Sequence, residues 1–147
     1  MRQGARFEVN VARISPADEI DLVTLCRLLD KVGMRPRDSS DMRKAIAAST
    51  DVYAAYVAGQ LVGFGRLISD TVYYGSIWDM AVEPDMQHAG IGSRILDELL
   101  KCASSRGLVI VGLFTASDNR EFYQRHGFEF HSDIHAMTRL PKPDRQN

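Results

Sequence analysis

Only two cysteines occur in the 147 residues, Cys26 and Cys102, and they lie far apart without metal-ligand spacing. A disulfide scaffold and a cysteine zinc site are thereby excluded, and free, at least half-buried thiols in a reducing compartment are expected. An excess of one charge is equally lacking, with 18 Lys and Arg against 19 Asp and Glu and a formal net charge of −1. That balance leaves no electrostatic footprint for nucleic acid, so no nucleic-acid partner is expected. No apolar run is long enough to span a bilayer, no basic amphipathic helix seeks a membrane surface, and Met1-Arg2-Gln3-Gly4-Ala5-Arg6 lacks the apolar core of a signal peptide. Internal repeats and low-complexity linkers are missing too. The histidines, His88, His126, His131 and His135, show no ligand geometry, and no metal is expected. The chain therefore reads as one cytoplasmic domain, residues 1–147, long enough to bury a core at 45% hydrophobic and 25% charged residues.

Hydropathy patterning supplies the elements. Phe7 to Ile14 alternates as a first strand. Ser15-Pro16 with Asp18 predicts the start of a helix whose apolar face is Ile20, Val23, Leu25, Leu28, Leu29 and Val32, stopped by Gly33. Arg35-Pro36-Arg37-Asp38-Ser39-Ser40 is a loop into a short helix over 41–48. Strands at 52–57 and 61–68 flank Ala58-Gly59-Gln60 as a hairpin, and a further strand spans 74–82. The next helix covers 91–106, with Ile91, Ile95, Leu99 and Cys102 on one face and Gly107 as its stop. The unbroken apolar run 108–114 predicts a buried strand. Asp118 caps a short helix over 119–126, 128–140 offers one or two closing strands, and Pro141 to Asn147 reads as a frayed tail. The order β-α-α-β-β-β-α-β-α-β is an α/β arrangement with an antiparallel front half and a βαβ crossover behind.

Gln87-His88-Ala89-Gly90-Ile91-Gly92 sits between the 74–82 strand and the long helix. Two glycines let the backbone approach a ligand closely, and the helix start adds unpaired N–H donors and a dipole that favours anions. The run is built to hold phosphate. It lacks the Gly-Lys-[Ser/Thr] ending of a P-loop, and its glycines come too late in the chain for a dinucleotide fingerprint.

In order and spacing, three motifs resemble those of the GNAT N-acetyltransferase superfamily. Ile77 to Pro84 is similar to its fourth strand ending in Val-x-Pro, Gln87 to Gly92 to its Gln-x-x-Gly-x-Gly loop, and Asn119 to Phe128 to its Asn-x-x-x-Tyr-x-x-x-Gly-Phe segment. Leu61 to Val82, with Gly63-Phe64-Gly65-Arg66 and Ile77-Trp78-Asp79, is also similar to serotonin-acetyltransferase-like enzymes of bacteria and plastids. The resemblance covers nearly the whole chain. It implies a central mixed, mostly antiparallel sheet with helices on both faces, and acetyl-CoA as co-substrate without a metal. It also implies direct transfer, through a ternary complex, of the acetyl group to a primary amine. The acceptor is a small arylalkylamine or polyamine-like molecule, or a protein lysine or N-terminus. Homodimers are frequent in the family, so a second copy of the chain is an expected partner. A catalytically silent acyl-CoA-binding or sensor module of the same fold is the alternative.

The same resemblance assigns roles. The backbone of Gln87, His88, Ala89, Gly90, Ile91, Gly92 and Ser93 holds the pyrophosphate, and the main chain of Met80, Ala81 and Val82 pairs with the pantetheine arm. Asn119 bonds the pantetheine, or only starts a helix. Tyr123 is the general acid for the departing thiolate, a phenol being protonated at neutral pH; the other reading is that it packs its helix against the sheet. Asp79 is a candidate base or ammonium anchor, although alternation puts it on the face opposite Ser76 and Trp78 unless a bulge intervenes. Family members often carry an acid or histidine at the positions of Ser76 and Trp78, and this chain does not. Glu83 is a second candidate base, and a water chain would also serve. Trp78, Tyr73 and Tyr74 are candidates for an aromatic acceptor wall, or for core or dimer-interface packing. The loop Gly33 to Ser40 lies where family members vary to admit different acceptors, with arginines that could meet an acidic group or simply be solvated.

Overall fold

The structure, a computed structural model, describes residues 7–141. The Met1 to Arg6 run and residues 142–147 of the tail lie outside the described residues. The chain divides after Leu113 into two compact units.

The first unit carries β1 (Val9–Arg13), α1 (Leu22–Lys31), α2 (Ser39–Ala48), β2 (Asp51–Val57), β3 (Gln60–Ser69), β4 (Tyr74–Val82), α3 (Ile91–Arg106) and β5 (Ile110–Gly112). The sheet order is β1-β2-β3-β4-β5, antiparallel through β4 and parallel from β4 to β5. Ala58 and Gly59, at φ 50° and 75°, turn the β2–β3 hairpin, the two left-handed residues that a tight hairpin turn demands. The second unit carries α4 (Arg120–Arg125) behind a short 3-10 turn, Ser117–Asn119.

Strand β3 is buried on both faces, and its alternation sorts the layers. Phe64 points into the cluster of Leu25, Leu28, Leu29, Met42 and Ile46 from α1 and α2. Gly63 and Gly65 point the other way, at α3. A Cβ on Gly63 would lie 2.8 Å from Ile95, and one on Gly65 would lie 3.0 Å from Ile95 and 3.2 Å from Leu99. The missing side chains let α3 sit close against the sheet, and with it the loop at its N-terminus. Helices thus cover both faces of the sheet.

Several boundaries differ from the sequence expectations. Ser15 and Asp18 close a local turn, with the Ser15 N–H donating to Asp18 Oδ2 at 2.6 Å. Helix α1 begins six residues later, where the Asp21 carboxylate accepts from the Thr24 N–H and hydroxyl, at 3.0 and 2.7 Å. The shift rotates Val23 outward to 55% exposure and brings Leu22 into the core. The apolar run 108–114 yields only three strand residues, Ile110–Gly112, at the edge of the sheet among the described residues, and Val109, Ile110 and Phe114 are exposed. Residues 128–141 contain no strand.

A fully buried carboxylate, Asp51, ties three elements. Its side chain has no exposed surface and receives Arg13 Nη2 from β1 at 2.5 Å and the guanidinium of Arg106 from the end of α3. Removing one partner of a buried pair leaves the other charge uncompensated, at about 3–5 kcal/mol. Arg106→Ala, which leaves the fully buried Asp51 carboxylate with Arg13 alone, is expected to destabilise the fold by about 3 kcal/mol in urea titration, which a loss under about 1 kcal/mol would contradict.

Candidate functional site

Strand β4 carries the irregularity from which the site is built. Gly63 and Phe64 pair with Val82 and Ala81, whereas Arg66 and Leu67 pair with Trp78 and Ile77. Asp79 and Met80 therefore stand opposite the single residue Gly65, a β-bulge. Asp79 adopts φ 57°, a left-handed conformation tolerated by Asp far better than by a β-branched residue. Beyond the bulge the Met80 sulfur lies over Gly65, on the α3 side. Before it, Trp78 shares the face of its cross-strand partner Arg66 and donates from Nε1 to Ser76 Oγ at 2.6 Å. The bulge thus intervenes in the alternation: Asp79 shares the face of Ser76 and Trp78 instead of opposing it.

That placement brings Asp79 to two arginines. Arg37 grips it bidentately, Nη1 to Oδ2 at 2.6 Å and Nη2 to Oδ1 at 2.8 Å, and Arg66 Nε donates to Oδ2 at 2.8 Å. Only 4% of the Asp79 side chain is exposed. Burial by itself would push its pKa up, but the hydrogen bonds and charges of Arg37 and Arg66 outweigh it and hold the carboxyl below the ordinary range. Arg66 Nη1 also donates to Ser49 Oγ at 3.2 Å, just past the end of α2. Sequence reasoning missed both arginines as partners. The available signal was an arginine inside the apolar run 61–68, since a guanidinium in a buried strand needs a carboxylate.

Strand β4 pairs with β5 only over Tyr74–Ser76. From Ile77 to Val82, the stretch holding Met80, Ala81 and Val82, it has no strand partner on that side among the described residues. The loop that follows fits phosphate. His88 and Gly90 take left-handed φ values of 64° and 81°, and successive turns of this kind aim backbone N–H groups into an anion-binding concavity. No side chain caps α3, its first turn carries no acidic residue, and a Cβ on Gly90 would meet nothing within 4 Å. Gln87 folds back, donating from Nε2 to the carbonyl of Val82 at 3.2 Å, and so fixes the loop to the strand end.

The remaining candidates fall in separate places. Glu83, just past β4, pairs with Lys31 Nζ at 2.6 Å. Tyr73 and Tyr74 are exposed, their ring centroids 6.0 Å apart. Tyr74 opens β4 with Tyr73 just ahead of it, five residues before the bulge at Asp79, a run of roughly 15 Å along a strand. Trp78, 38% exposed, adjoins Asp79 directly. In the second unit, Tyr123 lies edge-on to Phe122 and Phe128, at centroid distances of 5.0 and 5.8 Å, and burial raises its phenol pKa. Asn119 immediately precedes α4 and is exposed. Cys26 and Cys102 are half-buried and free. Among the described residues no His, Cys, Asp and Glu group is suited to a metal, and no helix is long and apolar enough to cross a membrane.

The sequence profile of the acetyltransferase (GNAT) domain matches residues 48–130, more than half of the chain. A histone acetyltransferase of Glycine max is 29% identical over 126 residues, covering 78% of this chain and 54% of its own length. Serotonin N-acetyltransferase 2, chloroplastic, of Oryza sativa subsp. japonica is 28% identical over 118 residues, covering 78% and 59%. The chain thus spans little more than half the length of these relatives. Among solved structures, a GNAT-family acetyltransferase from Streptococcus pneumoniae superposes with a TM-score of 0.78 at 25% identity, over 92% of this chain and all of that one. The bulged fourth strand, the uncapped glycine loop and the profile match agree, and the chain belongs to the GNAT acetyltransferase family.

Proposed function

We propose that the protein transfers the acetyl group of acetyl-CoA to a primary amine in one direct step, within a ternary complex. The observation that carries this reading is the unpaired run of β4 leading straight into an uncapped helix N-terminus through two left-handed residues. When bound, acetyl-CoA supplies the activated thioester. The N–H groups from Gln87 to Ser93 bind its pyrophosphate, and Met80, Ala81 and Val82 align its pantetheine as an added strand. Asn119 bonds the pantetheine, and the Tyr123 hydroxyl gives its proton to the departing thiolate. The raised pKa of Tyr123 keeps that proton available through neutral and mildly alkaline pH. Asp79 is already engaged by two guanidiniums, so the base role falls to Glu83, whose partner Lys31 is an exposed, flexible chain. Trp78 offers a half-exposed face to an aromatic or cationic amine. The acceptor class spans small arylalkylamines, polyamine-like molecules and protein amines, in keeping with relatives named for serotonin and for histones.

Calorimetric titration with acetyl-CoA, ATP and NAD is expected to show saturable binding of acetyl-CoA alone; binding of all three, or of none by folded protein, would overturn the reading. Gly90→Val is expected to weaken acetyl-CoA binding by more than about tenfold, because its side chain would fill the phosphate's place. Gly107→Val, at the other end of α3 with φ 69°, imposes similar backbone strain and should leave affinity unchanged. Equal affinities for the two folded variants would remove the loop from the cofactor site. Tyr123→Phe should lower kcat with acetyl-CoA affinity retained. The alkaline limb that Tyr123 gives to kcat should lie above about pH 10 and vanish in the variant. An unaltered kcat would take Tyr123 out of the mechanism.

A further inference from the structure

The Asp79 carboxylate joins three separate segments directly and a fourth through Arg66. Arg37 comes from the loop between α1 and α2, Arg66 from the middle of β3, and Asp79 itself sits at the left-handed position of the β4 bulge. The fourth segment is the end of α2, where Ser49 Oγ accepts from Arg66 and donates to the carbonyl of Ala45 at 2.6 Å. Arg37 also leans on α2, its Nη1 lying 3.8 Å from the Met42 sulfur. Both oxygens of Asp79 accept guanidinium N–H groups, and one of them accepts two. A carboxylate so occupied has little capacity left for a substrate proton, but a large capacity to hold backbone in place.

We propose that Asp79 is a positioning residue. With Arg66 it locks the β4 bulge, and through Arg37 it tethers the 33–38 loop to that bulge, so the acceptor-side loop and the thioester-facing backbone are held as one rigid piece. The proposal rests on the acetyl-transfer reading for its catalytic consequence and on the observed ion pairs for its geometry. The left-handed conformation at Asp79 carries strain that the three charge-assisted hydrogen bonds offset. Releasing the carboxylate frees the bulge to relax and the loop to swing away, and misplacement of reacting groups by about 1 Å costs up to about a hundredfold in rate. Arg37 is the informative partner because it belongs to a different segment from both strands, and Arg66 still pairs with the buried carboxylate when Arg37 is lost.

The test compares wild type, Asp79→Asn, Arg37→Ala, the double variant and Arg37→Lys, in steady-state acetyl transfer, acetyl-CoA calorimetry and backbone hydrogen exchange. Asn keeps a side chain at home in the left-handed region while removing the charge. A shared positioning role predicts that both single variants lose kcat by at least about tenfold and to a similar degree. The double variant should be no slower than the worse single variant, and Arg37→Lys should recover part of the loss. Acetyl-CoA affinity should stay within about twofold, because the pyrophosphate loop is untouched. Amide exchange at Met34 and over Met80 to Val82 should accelerate in both single variants. Wild-type turnover in Arg37→Ala beside a dead Asp79→Asn would overturn the proposal and make Asp79 a group acting on substrate. Multiplying losses in the double variant, or unchanged exchange in both singles, would also overturn it. Failure of the wild-type protein to acetylate any amine, with exchange accelerated in the variants, would sink the acetyl-transfer reading and leave the tether standing.

Discussion

A guanidinium on either side of one buried carboxylate is the constraint to which the first unit is tied. Asp79 sits where β4 breaks step with β3, and its two arginines belong to the neighbouring strand and to a loop 42 residues away. A buried carboxylate without partners would carry a prohibitive desolvation cost; here every buried side-chain polar atom among the described residues is satisfied. The chain uses the device twice. Asp51, held by Arg13 and Arg106, stands on the opposite face and joins β1, β2 and the C-terminal end of α3. One pair sets the geometry of the bulge and the other sets where α3 ends, so the two together fix strand and helix against each other.

Glycine does complementary work. Gly63 and Gly65 remove bulk where α3 crosses the sheet, so the height of α3 is set by direct contact of Ile91, Ile95 and Leu99 with backbone. The N-terminus of α3 carries the glycine loop, and its distance from the open edge of β4 follows from that packing. The loop needs left-handed backbone at His88 and Gly90, and Gln87 anchors it to the last carbonyl of β4. The glycine loop is therefore placed by apolar packing on one side of the sheet, and the 33–38 loop and the bulge by ion pairing on the other.

Much of this was legible in the residues. The hairpin around Gly59, the β4 span and α3 from Ile91 to Arg106 fall where pattern and turn chemistry placed them, because each is set by local signals of strong period and clear stops. Helix α1 was harder. Two competing caps stand six residues apart, and Ser15 spends its N–H on a local turn while Asp21 caps the helix. The apolar character of 108–114 argued for burial, but only Ile110–Gly112 pairs, at the edge of the sheet among the described residues, and periodicity carries no information about sheet position. The bulge was foreseen only as a condition, since no glycine marks it. The pairing of Arg37 with Asp79 was invisible, because nothing local records a contact across 42 residues.

The bulge also gives β4 two reading frames. Ahead of Asp79 the even-numbered side chains Ser76 and Trp78 share the face of Arg66; after it the odd-numbered Ala81 shares that of Phe64. Losing the one residue between Trp78 and Met80 would restore a regular ladder and leave both halves of the strand facing as before, because Asp79 is the extra residue of the bulge. What would disappear is the carboxylate that Arg37 and Arg66 share. The extra residue is thus spare for the pairing of the sheet and indispensable for the ion pairs that cross it.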